Sequence, residues 1–450
     1  MKLLRLRSLA VFLACASLIH AADFKAGVAR VQITPPTPFW LSGYAARTNP
    51  APRIRTDLWA KALALEDRTG GRAVIVTTDL IGLPAEISDT VARSLARDHR
   101  LPRAALVVNS SHTHAGPAIW PNLRVMFDFA DSDQERVKQY ALRLTDQLGQ
   151  VAGDALKRLE PATLSFGRGQ AGFAVNRRQP TPDGVRLGVN PDGPVDHSVP
   201  VLRVSRADGS LLAVLFGYAC HNTTLGGDFY EVDGDYAGAA QRNLEREFPG
   251  ATALFLMLCG GDQNPNPRGK IEHVEQYGRE LADAVAAALR KELVQIRPPI
   301  RAAHQTARLD FAPHTRETFE AELQDANLFR QRRARLMLEA YDRGQPVRQL
   351  DLPVQALRLG RGLTLLALGG EVVIDYGLRV QREFPAENVV VAAYCHDVAC
   401  YIPSLRVLRE GGYEAVDSMI YYGQPGPFAE TVEESVFAAI REVMAKVKGD

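Results

Sequence analysis

Two histidines one residue apart, His112 and His114, sit in "NSSHTHAGP" between the apolar run "AALVV" and a Gly-Pro turn. In an extended segment residues two apart point to the same side, so both imidazoles can face one cavity. Such a pair is either a metal clamp or a polar strand end whose rings are satisfied by carbonyls. The clamp suits zinc, which takes imidazole and carboxylate ligands around an open position at catalytic sites. Four more apolar runs end in reactive side chains: His221 after "LLAVLFGYAC", Asp262, Asn264 and Asn266 after "ALFLMLC", Glu371 in "LLALGGEVV", and His396, Asp397 and Tyr401 in "AAYCHDVACYIP". A buried strand ending in His, Asp or Glu leaves a polar group near the core, where it must be paired, neutralised or bound to a cation. Five such ends in one chain call for a shared explanation.

Two further stretches have simpler readings. Asp233 and Asp235 in "EVDGDYAGAAQ" precede an Ala-rich helix, where an acidic N-cap satisfies orphan amides and suits the helix dipole. The loop "GGDQNPNPRG" can hold a substrate through its amides and Asn264, and it reads equally well as a turn set by Gly and Asn-Pro.

These groups need elements to position them. Helical periodicity is plain over 134–159, 271–293 and 315–343, the last carrying "RQRRAR" at 330–335 and reading as one solvated surface helix. Segments 73–117 and 364–404 share a layout of apolar strand, polar residue, helix, apolar strand and polar cluster. This predicts an α/β fold: mixed, largely buried sheets flanked by helices, joined by crossover units, with polar residues in a crevice at the strand ends. The likeness of the two segments fits an internal duplication or an α/β rhythm. No linker or low-complexity stretch divides the chain, which predicts one large catalytic unit.

The chain has 450 residues, 46% of them hydrophobic, and a formal net charge of +1. The length and apolar content suit a large buried core, and the balanced charge gives no general attraction to nucleic acid or anionic lipid. A small-molecule partner is expected. Residues 1–22 combine Lys2, Arg5 and Arg7 with a short apolar stretch ending at Ala21 and Ala22, the pattern of a secretory signal peptide. The expectation is an exported protein, periplasmic or secreted, with no transmembrane segment. Cleavage removes Cys15 and leaves Cys220, Cys259, Cys395 and Cys400. Cys395 and Cys400 can close a small disulfide loop in an exported protein, while Cys220 and Cys259 read as buried small hydrophobes.

In one order, "AGVARVQITPP", "GYAAR", "NSSHTHAGP", "AVNRR", "ACHNTT", "DGDYAG", "CGGDQNPN", "GGE", "ACYIP" and "GGYEAV" resemble the neutral ceramidases, secreted zinc amidases that cleave the N-acyl bond of ceramide. The resemblance implies a catalytic domain over 23–450, without the additional C-terminal β-rich domain of the family. It implies one zinc ion per chain, held by His112, His221, Glu371 and Tyr401, with His114, Arg177 and Tyr413 lining the reaction centre. His396 and Asp397 precede Tyr401 as an Asn-Asp pair does in the family, so His396 is left out of the ligand set. Zinc lowers the pKa of water toward neutrality; Arg177 and the Tyr413 hydroxyl suit a developing oxyanion, and His114 can relay a proton to the leaving amine. A tyrosine ligand needs the cation to stabilise its phenolate, since a free phenol ionises near ~10.

One departure bears on mechanism. Asn264 stands where the family motif has a serine assigned to catalysis, and an amide cannot replace a hydroxyl nucleophile, although it can hydrogen-bond the substrate. The implied function is a zinc-dependent hydrolase of a linear, lipid-like N-acyl amide. The alternatives are an ester or lactone hydrolase on the same scaffold, or a non-catalytic binding homologue, because fold does not fix substrate.

Overall fold

The computed structural model describes residues 23–448; the expected leader and Cys15 lie outside them. Among the described residues the largest sheet has nine strands. Its order runs Thr252–Met257, Leu211–Tyr218, Ser198–Arg206, Glu160–Gln170, Phe24–Gln32, Trp59–Asp67, Arg72–Thr78 and Leu106–Ser110, with Val294–Gln295 beside Glu160–Gln170. The interior pairs are antiparallel. Only the two outermost pairs are parallel, each joined through a crossover helix, Ala85–His99 at one end and Asp235–Glu247 at the other.

A second sheet of four strands, Arg297–Asp310, Gln349–Arg361, Thr364–Leu368 and Val389–Ala392, ends in the same way. Its last two strands are parallel, with helix Ile374–Glu383 between them in sequence. The layout shared by 73–117 and 364–404 is therefore a crossover rhythm, which Leu211–Met257 repeats. The α/β reading, mixed sheets flanked by helices, is what the structure has.

Burial on both faces explains the apolar runs. In Trp59–Asp67, Ala60, Ala62 and Ala64 face a core built with helices Ala85–His99 and Asp131–Lys157, and Leu63 and Leu65 face the larger core on the other side. The period of two sorts one strand into two cores. That larger core continues into the second sheet, where Leu202, Phe216 and Leu256 meet Leu359, Leu365 and Val390 around a small cavity. Helix Val432–Lys448 covers the second sheet.

The parallel strand ends are tied together at Asn109, which is fully buried. Its Oδ1 accepts from Met257 N at 2.9 Å, and its Nδ2 donates to Met257 O at 3.2 Å and to Ala393 O at 2.7 Å. Residues 392–396 lie between the two edges of the main sheet, bridging Asn109 to Cys395 and Leu258 to Ala392. One side chain thus completes the backbone pairing of three crossover units.

Four local expectations are corrected. The periodicity over 315–343 breaks into helices Arg316–Glu322 and Leu328–Asp342, because the Asn327 side chain accepts from Phe329 N and Arg330 N and starts a new helix. Within "RQRRAR", Arg333 is buried against Glu322 and the carbonyls of Gln424 and Pro425, so this helix is not simply a solvated face. The N-cap of helix Asp235–Glu247 is Gly234; Asp233 accepts from Asp235 N but also pairs with Arg55, and Asp235 holds Leu225 N. Cys395 and Cys400 are free buried thiols, as are Cys220 and Cys259; Cys395 Sγ faces Asn109 Nδ2.

No helix among the described residues is long and apolar enough to cross a membrane. Replacing Asn109 by Ala strands the Met257 amide and the Ala393 carbonyl, each costing about 1–3 kcal/mol when buried and unsatisfied. Chemical denaturation of Asn109→Ala is expected to show a loss of about 2–4 kcal/mol. Asn109→Asp should lose more, because it buries a charge where two carbonyls need a donor.

Candidate active site

His112 follows Leu106–Ser110, and its backbone turns into the left-handed region at φ 62°. That turn puts its ring Nδ1 2.5 Å from Ile81 O. His221 follows Leu211–Tyr218, and its Nδ1 lies 2.7 Å from Gly260 O. A carbonyl only accepts, so each ring carries a proton on Nδ1 and, when neutral, presents a lone pair at Nε2. Both Nε2 atoms lie 3.0 Å from Glu371 Oε2.

Burial, reinforced by the Arg177 charge, lowers His221 to about 3, so its ring is neutral at ordinary pH. Burial opposes ionisation of Glu371, and only positive charge shared with His112 and His221 holds it well below the usual carboxylate range, so the carboxylate form depends on a cation in the cluster. Lone pairs from neutral imidazole and carboxylate that converge at 3.0 Å repel each other unless a cation lies among them. The donor set fits a divalent metal such as zinc.

Glu371 and Tyr401 reach this point together because Glu371–Val372 and Tyr401–Ile402 pair in parallel, residue opposite residue. Gly370, at φ 74°, permits the approach: a Cβ there would meet Ile402 and the Cys400 carbonyl. Tyr401 Oη lies 3.1 Å from His221 Nε2. Burial raises the Tyr401 pKa well above the usual phenol range and Arg177 opposes that, so the phenolate awaits a cation.

His114 completes the cluster, its Nε2 3.1 Å from His112 Nε2. Ligand-capable atoms of His112, His114 and His221 all lie within 4.8 Å of one another. Burial, then the neighbouring rings of His112 and His221, lowers His114 well below the usual imidazole range. Its place depends on "GYAAR": Gly43 is at φ 91° and a Cβ there would lie 2.4 Å from His114 Nδ1. The Tyr44 ring packs 4.7 Å from the His114 ring, and Arg47 Nη1 donates to His114 O at 2.5 Å.

Arg177 stands on the hairpin strand Ala174–Thr181, where a register shift falls between Asn176 and Arg178. Its Nη2 donates to Tyr401 Oη at 2.9 Å and its Nε to Glu414 Oε1 at 2.8 Å. The guanidinium lies 5.5 Å from the Tyr401 ring centroid and 5.6 Å from that of Tyr413. Glu414 also accepts from Arg178 Nη1 at 2.6 Å, so one buried carboxylate holds two guanidinium groups. Tyr413 and Glu414 are adjacent on a π-helical turn, Tyr413–Asp417, a rare geometry that often marks functional sites.

A cavity of about 670 Å³ opens onto the cluster, lined among others by His114, Arg177, Asn264, Arg268, Tyr401 and Tyr413. The structure therefore brings all eight sequence-predicted site residues to one place. His396 and Asp397 are elsewhere: the His396 ring is 6.3 Å from that of His304, and Asp397 accepts from Ala85 N at the start of a helix. Asp262 supports the site from behind, accepting from Ile374 N and Asn176 Nδ2.

Sequence reasoning missed Tyr394 and Tyr422. Tyr394 Oη donates to Glu371 Oε2 at 3.3 Å and Tyr422 Oη donates to Oε1. It also missed Glu414 and Arg47. Glu414 had a signal, since it sits beside Tyr413 in "YE"; a tyrosine such as Tyr422, in "MIYYG", had none.

Residues 24–276, more than half of the chain, match the family model described as neutral/alkaline non-lysosomal ceramidase, N-terminal. The chain belongs to this ceramidase family. The match ends before Glu371, Tyr401 and Tyr413, so their part in the site rests on geometry. Among curated ceramidases the chain is 27% identical to the neutral ceramidase of Drosophila pseudoobscura over 276 residues, covering 56% of this chain and 37% of that protein. It is 24% identical to the Pseudomonas aeruginosa neutral ceramidase over 237 residues, covering 50% and 34%. The chain thus spans about a third of the length of the curated relatives it matches.

The crystal structure of neutral ceramidase from Pseudomonas aeruginosa superposes with a TM-score of 0.69 at 17% identity, covering 93% of this chain and 75% of that one. A structure of ceramidase complexed with C2 gives 0.70 at 17% identity, covering 94% and 76%. At that identity the likeness establishes the ceramidase fold.

Two outcomes follow for the supporting shell. Glu414→Gln removes the carboxylate paired with buried Arg177 and leaves Arg178 only the partly exposed Glu410, and is expected to cost about 3–5 kcal/mol in chemical denaturation. Tyr422→Phe keeps the ring but removes a donor to Glu371, and zinc titration should show affinity falling roughly 10-fold or more.

Proposed function

We propose that this chain is an exported, zinc-dependent hydrolase of linear N-acyl amides, ceramidase-like, with zinc held by His112, His221, Glu371 and Tyr401. The observation that carries the reading is the convergence of the His112 and His221 Nε2 atoms on Glu371 Oε2, with both Nδ1 atoms committed to backbone carbonyls. Family membership supports amide chemistry, and the leader-like residues 1–22 support export. When bound, zinc supplies Lewis acidity for the acyl carbonyl and lowers the pKa of water toward neutrality.

The chain's own groups do the rest. Arg177, fixed by Glu414, and the Tyr413 hydroxyl are fixed donors for negative charge developing on the carbonyl oxygen, worth most in a buried site. His114 is neutral at ordinary pH, so it can accept a proton at Nε2 and pass it to the leaving amine. Asn264, beside Thr223 and Arg268, positions the scissile amide by hydrogen bonding. Because Asn264 offers no hydroxyl, the reaction proceeds by direct attack of water, with no acyl-enzyme on that residue.

The test combines metal analysis of the purified protein with a panel of matched long-chain amides and esters, assayed before and after chelation. About one zinc per chain is expected, with amide turnover that chelation abolishes and zinc restores. His112→Ala should lose most of the metal and at least roughly 100-fold in rate. Turnover that ignores chelation defeats the metal reading, and turnover confined to esters defeats the amide reading.

A further inference from the structure

We propose that one wall of the cavity is a subsite for a carboxylate on the amine half of the substrate, with Arg268 as the residue that selects it. The inference deepens the amide-hydrolase reading and rests on it.

The contacts divide the cavity lining into two unlike groups. On one side the Tyr44 ring packs 4.7 Å from that of His114, and Tyr44 Oη accepts from Arg268 Nη2 at 2.7 Å. Asn264 joins the same group. With its amide nitrogen donating to Thr223 Oγ1 and Gln263 O, its oxygen lies 3.2 Å from Arg268 Nη1. On the other side Tyr413 and Tyr421 lie 6.4 Å apart between centroids, and the turn before Tyr413 abuts the hairpin at Val185. That hairpin turns Leu187 and Val189 to the cavity mouth, 50% and 48% exposed. An acyl chain belongs with the apolar hairpin. The leaving amine belongs beside His114, whose proton it receives, and so on the Arg268 wall.

The charge on that wall is unmatched. Arg177 is neutralised by Glu414, but Arg268 has no carboxylate of the described residues within ion-pairing distance. Behind Tyr44, Arg47 hydrogen-bonds only to carbonyls, those of Ser42, His114, Gly226 and Phe229, and the exposed Asp228 acts on it only at longer range. Asp235 acts on Tyr44 only at longer range, and its oxygens are taken by Leu225 N and Tyr236 N. A neutral amino alcohol in this position leaves the guanidinium without a counter-charge, and an ammonium is repelled. A single exposed guanidinium, flanked by the Tyr44 hydroxyl and the Asn264 amide, matches one planar carboxylate in a two-point fork; a phosphate dianion calls for more cations than reach the cavity.

The experiment compares N-dodecanoylglycine, neutral N-dodecanoylethanolamine and its phosphate ester as substrates of the wild-type protein, Arg268→Gln and Arg268→Lys. The wild type is expected to favour the glycine conjugate by at least roughly 10-fold in kcat/KM. Arg268→Gln should lower the ratio of carboxylate to neutral kcat/KM by roughly 10- to 100-fold, with part of it recovered in Arg268→Lys. An unchanged ratio overturns the subsite, and preference for the phosphate ester overturns the carboxylate assignment. If neutral amides are cleaved as fast as the glycine conjugate, the amidase reading stands and the subsite falls. If no amide is cleaved, calorimetric binding of N-dodecanoylglycine decides: affinity at least roughly 10-fold weaker in Arg268→Gln supports the subsite, and equal affinity overturns it.

Discussion

The organisation of this protein depends on how three parallel strand ends are held side by side. Within the two large sheets of the described residues, parallel pairs occur only where a crossover helix joins the strands, at the two edges of the main sheet and at the end of the second. Side chains that leave such strand ends enter a crevice. Here the crevices coincide because residues 392–396 lie between the two main-sheet edges and Asn109 bonds to both neighbours. The amide side chain offers a donor and an acceptor at once, as a peptide group does, so it continues a ladder that the backbone alone leaves open. His112 follows Asn109 by three residues, and Glu371 and Tyr401 flank the 392–396 segment in the chain. Fixing that segment fixes the site.

The site itself is built from electrostatic mismatch. Carbonyls of Ile81 and Gly260 commit the two imidazoles to presenting lone pairs, and a buried carboxylate is brought to the same point. Such an arrangement costs free energy in a cation-free state and favours cation binding correspondingly. Around it, donors are supplied to the acceptors that face away from the centre: Tyr394 and Tyr422 on Glu371, and Arg177 on Tyr401. Glu414 and Glu410 then balance Arg177 and Arg178, so the shell around the histidine–glutamate cluster is nearly neutral while the Arg268 wall is not.

Family membership and site geometry complement each other. The family match covers the strand ends that carry His112, His114, Arg177, His221 and Asn264 and stops before the second sheet. Glu371, Tyr401 and Tyr413 come from beyond the match, yet Tyr401 and Tyr413 line the same cavity, Glu371 meets His112 and His221, and the fold superposes along nearly the whole chain. Asn264 and Arg268, four residues apart, both lie on the wall next to His114.

Much of this was legible in the residues. Apolar runs ending in His, Asp, Glu or Tyr marked the strand ends, and a period of 3.6 marked the helices over 134–159 and 271–293, because burial on defined faces leaves a periodic trace. The ordered motifs marked eight residues that the structure brings together. The break at Asn327 was hidden because a side-chain cap interrupts a helix without interrupting its amphipathic pattern. The disulfide suggested by Cys395 and Cys400 is not formed: both thiols are free and buried, and that of Cys395 faces Asn109 Nδ2 and the Ala393 carbonyl. Tyr394, Tyr422 and Arg47 were invisible, since a hydrogen bond between residues far apart in sequence has no local pattern. The sequence by itself thus determined the elements and the types of group at their ends. Only the tertiary structure decided which atoms face each other, because tautomer, charge balance and cavity wall arise where distant segments meet.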